Sequence, residues 1–355
     1  RDNAGNEREC EVDAYVDKSA PSCRVEIEGT GVNGWYSPGT KVRLVSTSDE
    51  GSGVAEYGMG SSLINKDYNG KEEYEVRNGI VTVFGYVKDE VGNEGYCSVE
   101  VRIDDATPEG EVNMGYEIYP KEDSTKSGTR LTINNIEKYG EVKGVIIYFN
   151  KNVTGSYTSY VYDETDKNIK TGGGIVSGRD RAIIEIEEGE YEELAIYIGS
   201  SSVISSIGKV EVLKEETVTS VWTNKDVSVY IKGEDRITGI EGYSYNNGVS
   251  YQEEEIKSYS SNTSGVIRIK DKVGNVSDGI SFTINKIDKT APTLSISNPT
   301  SGNWTNESFS LTLTGSDSGS GLDSYAYSYD NNNFTKYAGT ATTRFTTTLF
   351  SAERN

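Results

Sequence analysis

Apolar and polar residues alternate with a period of two along most of this chain. Residues 23–28 place Cys23, Val25 and Ile27 on one face, and residues 95–103 do the same from Cys97 to Ile103. Thr, Val, Ile and Tyr dominate such runs, Gly, Asn, Asp and Ser fill the gaps between them, and no stretch shows a 3.6-residue apolar stripe. The pattern predicts antiparallel β-strands throughout.

Four short motifs recur in a fixed order. D-x-x-G-N begins at Asp2, Asp89 and Asp271; D-x-x-x-P at Asp17, Asp104 and Asp288; a Trp-led segment at Trp35, Trp222 and Trp304; and D-x-x-[ST]-G at Asp49, Asp235 and Asp317. Asp2 to Asp89 and Asp17 to Asp104 are both 87 residues, and Trp222 to Trp304 is 82. A repeat of about 80–90 residues indicates one small sandwich of about seven strands per repeat.

The motif order predicts five segments. Residues 1–20 are the end of a truncated repeat, residues 21–107 are a repeat (repeat 1), and residues 108–215 are an inserted domain (the insert). Residues 216–291 are the next repeat (repeat 2), and residues 292–355 are a repeat truncated at its C-terminal end (repeat 3). The insert is inferred because Trp35 and Trp222 are 187 residues apart and none of the four motifs occurs in the excess. Its strand-like runs indicate a separate β-sandwich, with a jelly roll as one arrangement.

The motifs resemble the immunoglobulin-like repeats of bacterial surface proteins. The resemblance rests on W-T-N, D-x-x-[ST]-G, D-x-x-G-N and D-K-x-A-P, together with a Y-x-Y element at Tyr243 and Tyr245 and at Tyr325, Tyr327 and Tyr329. It covers residues 1–107 and about 216–355, and repeat 1 departs from it in having only Tyr57. It implies an all-β fold of tandem immunoglobulin-like antiparallel β-sandwiches with one inserted β-sandwich. That family is a scaffold and implies no single activity.

Charge and composition narrow the function classes. Lys and Arg number 35 against 56 Asp and Glu, a net charge of −21, and the chain has no histidine. The negative electrostatic potential of such a chain repels nucleic acid and anionic membranes. No apolar run approaches the roughly 18 residues of a membrane span. The absence of histidine removes Ser-His-Asp and Cys-His nucleophiles and His-ligated zinc. We therefore expect no enzyme, no nucleic-acid partner and no direct membrane contact.

The three cysteines predict one structural disulfide. Cys10 and Cys97 each follow the Asp of a D-x-x-G-N motif by eight residues, whereas Cys23 lies in the opening strand of repeat 1. By alternation Cys23 and Cys97 both point into the sandwich, so we predict a Cys23–Cys97 bond worth roughly 4 kcal/mol in the chain-entropy model. Cys10 would have paired with a cysteine upstream. Three buried reduced thiols are the alternative, and a disulfide would indicate an extracytoplasmic compartment.

The aspartate-rich turns allow two interpretations. Carboxylates at the ends of tandem sandwiches offer the oxygen ligands that structural Ca²⁺ requires. Asp also caps such turns by accepting backbone amides two residues on, while Gly takes the positive φ. Because neither Asp49 with Glu50 nor Asp89 with Glu90 reaches the acid density of a calcium loop, structural turns are favoured and no metal ligand is assigned.

The insert carries the candidate ligand-binding residues. Tyr157, Tyr160 and Tyr162, with Tyr191 and Tyr197, form an aromatic group among polar residues, as stacking against a sugar face requires. Tyrosines on a solvent-facing sheet give the same pattern, and the candidate ligand-binding residues are the first three. The glycine-rich residues 170–180 lack the ending of a phosphate loop and are interpreted as a flexible hairpin connection. The repeat tryptophans are assigned to packing.

Together these features predict a non-catalytic stalk or spacer of an extracellular bacterial protein, secreted or anchored at the cell surface, that presents adhesive or binding domains. Pro in the short connections limits rotation between sandwiches. The alternatives are a glycan-binding module in residues 108–215 and an accessory region of a large secreted hydrolase. The expected partners are a glycan or a host or cell-surface protein.

Overall fold

The computed structural model describes every residue except 120–123, 163–167, 187–190, 298–309, 329–331, 333–334, 339–342 and 347–355. The described chain is built from antiparallel β-sheets, as the alternation predicts. Its helices are α1 (Ser201–Ile204) and a 3₁₀ turn (Ile136–Tyr139). No helix in the described part is both long and apolar enough to cross a membrane.

Repeat 1 is a two-sheet sandwich. Its strands are β1 (Ser22–Ile27), β2 (Trp35–Tyr36), β3 (Thr40–Ser48), β4 (Val54–Gly60), β5 (Glu73–Val76), β6 (Ile80–Asp89) and β7 (Glu94–Ile103). One sheet has the order β1-β3-β5 and the other β2-β7-β6-β4. Buried apolar residues from both sheets, among them Val42, Val83 and Val101, fill the space between. The core is small because each strand contributes only every second residue to it.

The insert contains long, strongly paired strands. They are β8 (Glu109–Tyr119), β9 (Ser124–Ser127), β10 (Arg130–Asn134), β11 (Gly144–Tyr162), β12 (Asn168–Glu185), β13 (Glu193–Ile198) and β14 (Ile207–Glu215). Strand β11 pairs with β14 through residues 144–149 and with β13 through residues 157–162, so this one strand links β14 to β13. The change of partner coincides with register shifts between Tyr148 and Gly155, where the strand is irregular.

Repeats 2 and 3 follow the pattern of repeat 1. Repeat 2 consists of β15 (Val227–Glu234), β16 (Ile240–Ser244), β17 (Ile256–Tyr259), β18 (Thr263–Asp271) and β19 (Ile280–Ile284). Repeat 3 contributes β20 (Thr293–Ser297), β21 (Ser310–Ser316), β22 (Ser324–Tyr327), β23 (Thr335–Ala338) and β24 (Thr343–Thr346). The order β20-β21-β24 repeats the order β1-β3-β5. Trp304 and Tyr329 lie outside the described residues.

The insert and repeat 2 share one nine-stranded sheet. Strand β8 pairs antiparallel with β14 on one side, through residues 113–119, and with β15 on the other, through residues 109–116. A single hydrophobic core accordingly runs from Met114 to Ile267 and Phe282. We expected a separate insert. In the structure, however, β15 of repeat 2 pairs with the edge of β8 that faces away from β14. The proposed boundaries at residues 108 and 215 stay sequence predictions.

We expected the glycine-rich segment 170–180 to be a flexible connection. It is instead part of strand β12. Its glycines lie opposite bulky residues of β11: Gly174 pairs with Tyr157 and Gly173 with Thr158. A Cβ built at Gly174 would lie 3.0 Å from the Tyr157 hydroxyl oxygen, so the ring occupies the space that a side chain there would need. Cross-strand packing, which the local composition does not reveal, accounts for the glycines.

Candidate functional site

Each described junction between sandwiches is built around one aspartate of the D-x-x-x-P motif. Asp104 directly follows the last residue of β7, and its backbone N–H donates to the carbonyl of Tyr36 in repeat 1 (2.9 Å). Its carboxylate accepts a hydrogen bond from the Thr238 hydroxyl (2.8 Å), and its carbonyl accepts one from the Asn275 amide (2.8 Å). Asp104 is fully buried. One residue therefore bonds to repeat 1 on one side and to two turns of repeat 2 on the other.

The bonds from the linker aspartate to the turns of the following repeat recur at Asp17 and Asp288. Asp17 accepts hydrogen bonds from the backbone N–H (2.7 Å) and hydroxyl (2.8 Å) of Ser52, and its carbonyl accepts one from Asn93 (3.3 Å). At the next junction the Asp288 N–H donates to the Thr223 carbonyl (2.9 Å), and its carboxylate accepts from the Ser320 N–H (2.7 Å). Because Tyr36 and Thr223 belong to the Trp-led segments, all four sequence motifs contribute to the junctions.

The turns themselves use aspartates as caps. Asp271 accepts the backbone N–H groups of Val273, Gly274 and Asn275, and Asp235 accepts those of Ile237, Thr238 and Gly239. These are the Asx-type bonds that the turn interpretation requires. Because every turn carries its own cap, the loops that hold the linker aspartate are held in place locally.

Two aspartate triads result from this assembly. Carboxylate oxygens of Asp17, Asp49 and Asp89 lie within 4.8 Å of one another, and so do those of Asp104, Asp235 and Asp271. One oxygen in the first triad, Oδ1 of Asp49, is buried and has no hydrogen-bond partner. Such oxygen-rich groups are the type of ligand set that a divalent cation takes up.

The three linker aspartates differ in the direction of their pKa shifts. The Ser52 backbone N–H lowers the pKa of Asp17, and the Ser320 backbone N–H lowers that of Asp288. Burial raises the pKa of Asp104, and the negative charges of Asp235 and Asp271 add to the rise. A buried carboxylate among other carboxylates is disfavoured as an ion, and the hydrogen bonds that Asp104 accepts from Thr238 and Ala106 do not offset this.

A single residue of the D-x-x-[ST]-G turn explains this difference. Repeats 1 and 3 have Gly51 and Gly319 as its third residue, and a Cβ there would lie 2.2 Å or 2.3 Å from a carboxylate oxygen of Asp17 or Asp288. Repeat 2 has Ile237 instead. The Thr238 N–H that corresponds to that of Ser52 donates to Asp235 rather than to Asp104. The bulky residue thus removes the close approach that supplies the backbone donor.

The structure contains a disulfide between Cys23 and Cys97, which joins β1 to β7 across repeat 1. The two Cα atoms are 5.6 Å apart, within the range of unstrained bridges. A Cβ built at Gly85 would lie 3.0 Å from the Cys97 Sγ, so the bridge packs closely against β6. Cys10 is a free, exposed cysteine.

The candidate tyrosines divide between two faces of β11. Tyr157 packs against the core, whereas Tyr160 faces outward, where its ring meets the ring of Tyr197 edge-on at 5.8 Å. Arg130 lies over the other side of this group, 5.5 Å from the Tyr197 ring centre, and pairs with Glu193. Burial and contact with the Tyr197 hydroxyl raise the pKa of Tyr162. The structure thus brings together Tyr160, Tyr162 and Tyr197, here called the tyrosine face, and separates Tyr157 from them.

A groove of about 1,040 Å³ lies beside β12. One wall is β12 itself from Gly172 to Glu185, and the other is formed by Tyr230 and residues 253–255. Sequence reasoning missed this groove because its walls lie about 70 residues apart in the chain. Only the run of three glutamates at residues 253–255 signalled it, and that run is common in an acidic chain.

Comparisons with known proteins found similar solved structures but no matching family. No family model matches it, and no curated protein matches it. Among solved structures it is similar to carbohydrate-binding modules of the β-sandwich superfamily (10% identity, TM-score 0.26, 56% of this chain and 98% of that chain covered). It is also similar to the fibronectin type III-like modules of Clostridium thermocellum CbhA (9% identity, TM-score 0.29, 74% and 93% covered). These values carry no argument about the chain, and its class, a tandem β-sandwich protein, rests on the sheets of the structure itself.

Proposed function

We propose that this chain is a spacer segment of an extracellular bacterial protein, built from immunoglobulin-like repeats that hold other binding domains at a fixed distance. The junction aspartate carries the proposal. A flexible string needs no bonds between consecutive sandwiches, whereas here the residue next to β7 is bonded to both sides. Each hydrogen bond contributes about 0.5–1.5 kcal/mol, and two or three at one buried residue restrict bending.

Other features support the same role. The disulfide stabilises a thin core and is typical of an oxidising compartment. The net charge of −21 keeps such segments soluble and apart from one another. The chain offers no histidine for acid–base chemistry, and we propose that it is not an enzyme.

Small-angle X-ray scattering of the full chain tests the spacer role. Thr238→Ala combined with Asn275→Ala removes both bonds from repeat 2 to Asp104, so we expect a wider spread of particle dimensions than in the wild type. The control is Thr82→Ala, an exposed position on β6. An unchanged scattering profile from a folded double variant would show that the junction does not limit bending, and the spacer proposal would lose its basis.

We extend this proposal to calcium, which the two aspartate triads would bind. One carboxylate oxygen of each aspartate in a triad lies within 4.8 Å of those of the other two, close enough to share a cation, which is bound by six to eight oxygens. Asp17, Asp49 and Asp89 would hold one ion and Asp104, Asp235 and Asp271 a second. A bound ion would offset the repulsion between carboxylates and tighten each junction.

The tyrosine face favours a second candidate function, glycan binding by the insert. Tyr160 and Tyr197 present rings beside Arg130 and Glu193, which combines a stacking surface with hydrogen-bonding groups. The test is a glycan array probed with the full chain, because the insert shares its sheet with repeat 2. Signals that disappear in Tyr160→Ala/Tyr197→Ala and persist in Tyr96→Ala, an exposed tyrosine of repeat 1, would support it. An array without signal would exclude it for the glycans displayed.

A further inference from the structure

The groove beside β12 has features that neither the spacer role nor the tyrosine face uses. Its lining includes almost every consecutive residue from Ile175 to Glu185. Side chains of a strand alternate between two faces, so a cavity that touches both parities lies along the edge of the strand. The groove therefore follows the main chain of β12.

In the part of the chain that the structure describes, no strand pairs with that edge. Within the described residues β12 pairs with β11 alone, although it is 18 residues long. A strand with one partner exposes a row of backbone N–H and C=O groups on its other side. Tyr157 lies across β12 at Gly174 and reaches the groove, and Tyr230 faces it from β15.

Charged side chains line the groove without partners. Arg179 and Arg181 stand on the β12 side and Glu253 to Glu255 on the other, and in the described part of the chain none of them forms an ion pair or a hydrogen bond through its side chain. Burial raises the pKa of Glu255, opposed by the positive charges of Arg181 and Arg179. At one side of the groove the Glu185–Lys232 pair (2.9 Å) links β12 to β15.

We propose that this groove binds an extended segment of a partner protein, which adds a strand to the free edge of β12. In this mode main-chain hydrogen bonds supply affinity, and alternate side chains supply specificity. The partner segment carries basic residues at alternate positions, because one row of its side chains meets the wall of Glu253, Glu254 and Glu255. Small or apolar residues lie between them, next to Tyr157 and Ile175.

A second copy of this chain is a poor occupant. Antiparallel pairing of two β12 edges about Asp180 would place Arg179 opposite Arg181 of the other copy, and like charges directly opposite one another are destabilising. The acidic wall would in addition face the acidic surface of a chain with net charge −21. A basic segment from a different protein avoids the second conflict, and it avoids the first when its basic residues are not directly opposite Arg179 and Arg181.

A synthetic peptide provides the test. The probe is a blocked peptide of alternating Lys and Val, about ten residues long, titrated into the full chain by isothermal calorimetry; comparison peptides replace Lys with Glu, or carry N-methyl groups on alternate amides. We expect the first peptide alone to bind. Raising the salt concentration should weaken binding because the acidic wall contributes to it.

Variants locate the binding. Glu253→Lys/Glu254→Lys alters two exposed residues of the wall and should weaken binding about tenfold or more, whereas Glu50→Lys/Glu90→Lys, a matched pair in repeat 1, should leave it unchanged. Equal binding of the N-methylated peptide, or equal loss in both variants, would show charge attraction without strand addition and overturn the proposal. No binding of the Lys-Val peptide would overturn it as well. Binding of glucan oligosaccharides that is lost in Arg179→Ala/Arg181→Ala, with no peptide binding, would replace it with a saccharide groove.

Discussion

Equivalent residues behave differently in this protein when a single neighbour changes. Asp17 and Asp104 occupy the same place in successive junctions, but the pKa of Asp17 is lowered and that of Asp104 is raised. The turn residue that faces them is Gly51 in one case and Ile237 in the other. A carboxylate held by several hydrogen bonds stabilises the folded state as an ion, whereas a carboxylate buried among other carboxylates destabilises it.

Ile237→Gly should lower the pKa of Asp104, because the turn could then bring the Thr238 N–H to the carboxylate. In the wild type the folded state holds the Asp104 proton to a higher pH than the unfolded state does. The contribution of Asp104 to the free energy of unfolding therefore falls as pH rises from about 4 through its raised pKa. The variant should lose this fall. Carboxyl-carbon NMR titration in the presence of EDTA measures the pKa directly.

The reciprocal variant is Gly51→Ala, which should raise the pKa of Asp17. The added Cβ would overlap an oxygen of Asp17, so the linker must move away from the Ser52 N–H. Stability that Asp17 now contributes above about pH 4, and loses as pH falls through its lowered pKa, should decrease. If both pKa values stay unchanged in the two variants, the third turn residue does not control the junction.

The disulfide gives a prediction for repeat 1. Cys23→Ser/Cys97→Ser removes a cross-link over 74 residues and should lower the free energy of unfolding of repeat 1 by about 3–4 kcal/mol. Differential scanning calorimetry would show the transition of this repeat shifted to lower temperature. Cys10→Ser is the control and should have no effect, since Cys10 is exposed and unpaired. A double variant with wild-type stability would mean that the bridge contributes nothing.

Among the elements, β8 connects the insert to repeat 2. It pairs with β14 of the insert and with β15 of repeat 2, and its side chains enter a core common to both. Two sandwiches joined end to end through a flexible linker would unfold independently, but a strand shared by two sets of partners couples them.

Met114→Ala on β8 should therefore destabilise the insert and repeat 2 together, by about 2–5 kcal/mol. Met114 is fully buried at the centre of the shared sheet. Hydrogen exchange read by mass spectrometry should show faster exchange in peptides from β11, β14 and β18 alike. The matched variant Val83→Ala, fully buried in β6, should accelerate exchange in repeat 1 only. Faster exchange in the insert with repeat 2 unaffected would argue against coupling.

At the scale of the whole molecule, the junctions hold consecutive sandwiches together. The junction aspartates provide bonds in the absence of any ion, and the triads provide carboxylates that an ion would join. Both contributions act at the same points, so they can be separated only by varying the ion.

Calcium at about 1 mM, in the range that extracellular modules use, should raise the unfolding midpoint relative to EDTA by about 2 °C or more. Magnesium at the same concentration should have a smaller effect, since it requires stricter octahedral geometry. Asp104→Asn and Asp17→Asn should each reduce the calcium response, and the pair should abolish it. Identical midpoints in calcium and EDTA would leave the triads as turn caps alone.

The sequence by itself determined the strands, the period of the repeats and the aspartates of each turn. Alternation places Cys23 and Cys97 on inward faces, and motif spacing marks the junctions, because these properties depend on neighbours a few residues away. The sequence did not assign Tyr157 and Tyr160 to opposite faces, since irregularities along β11 change which residues share a face.

Only the tertiary structure decided which strands share a sheet. Pairing of β8 with β15 joins residues more than 100 positions apart, and the groove beside β12 depends on a loop of repeat 2. The clustering of Asp104, Asp235 and Asp271 has the same origin. Such contacts follow from the burial of edges and faces over the whole chain, and no local pattern encodes them. The repeats were therefore visible in the sequence, whereas the bonds that join them required the fold.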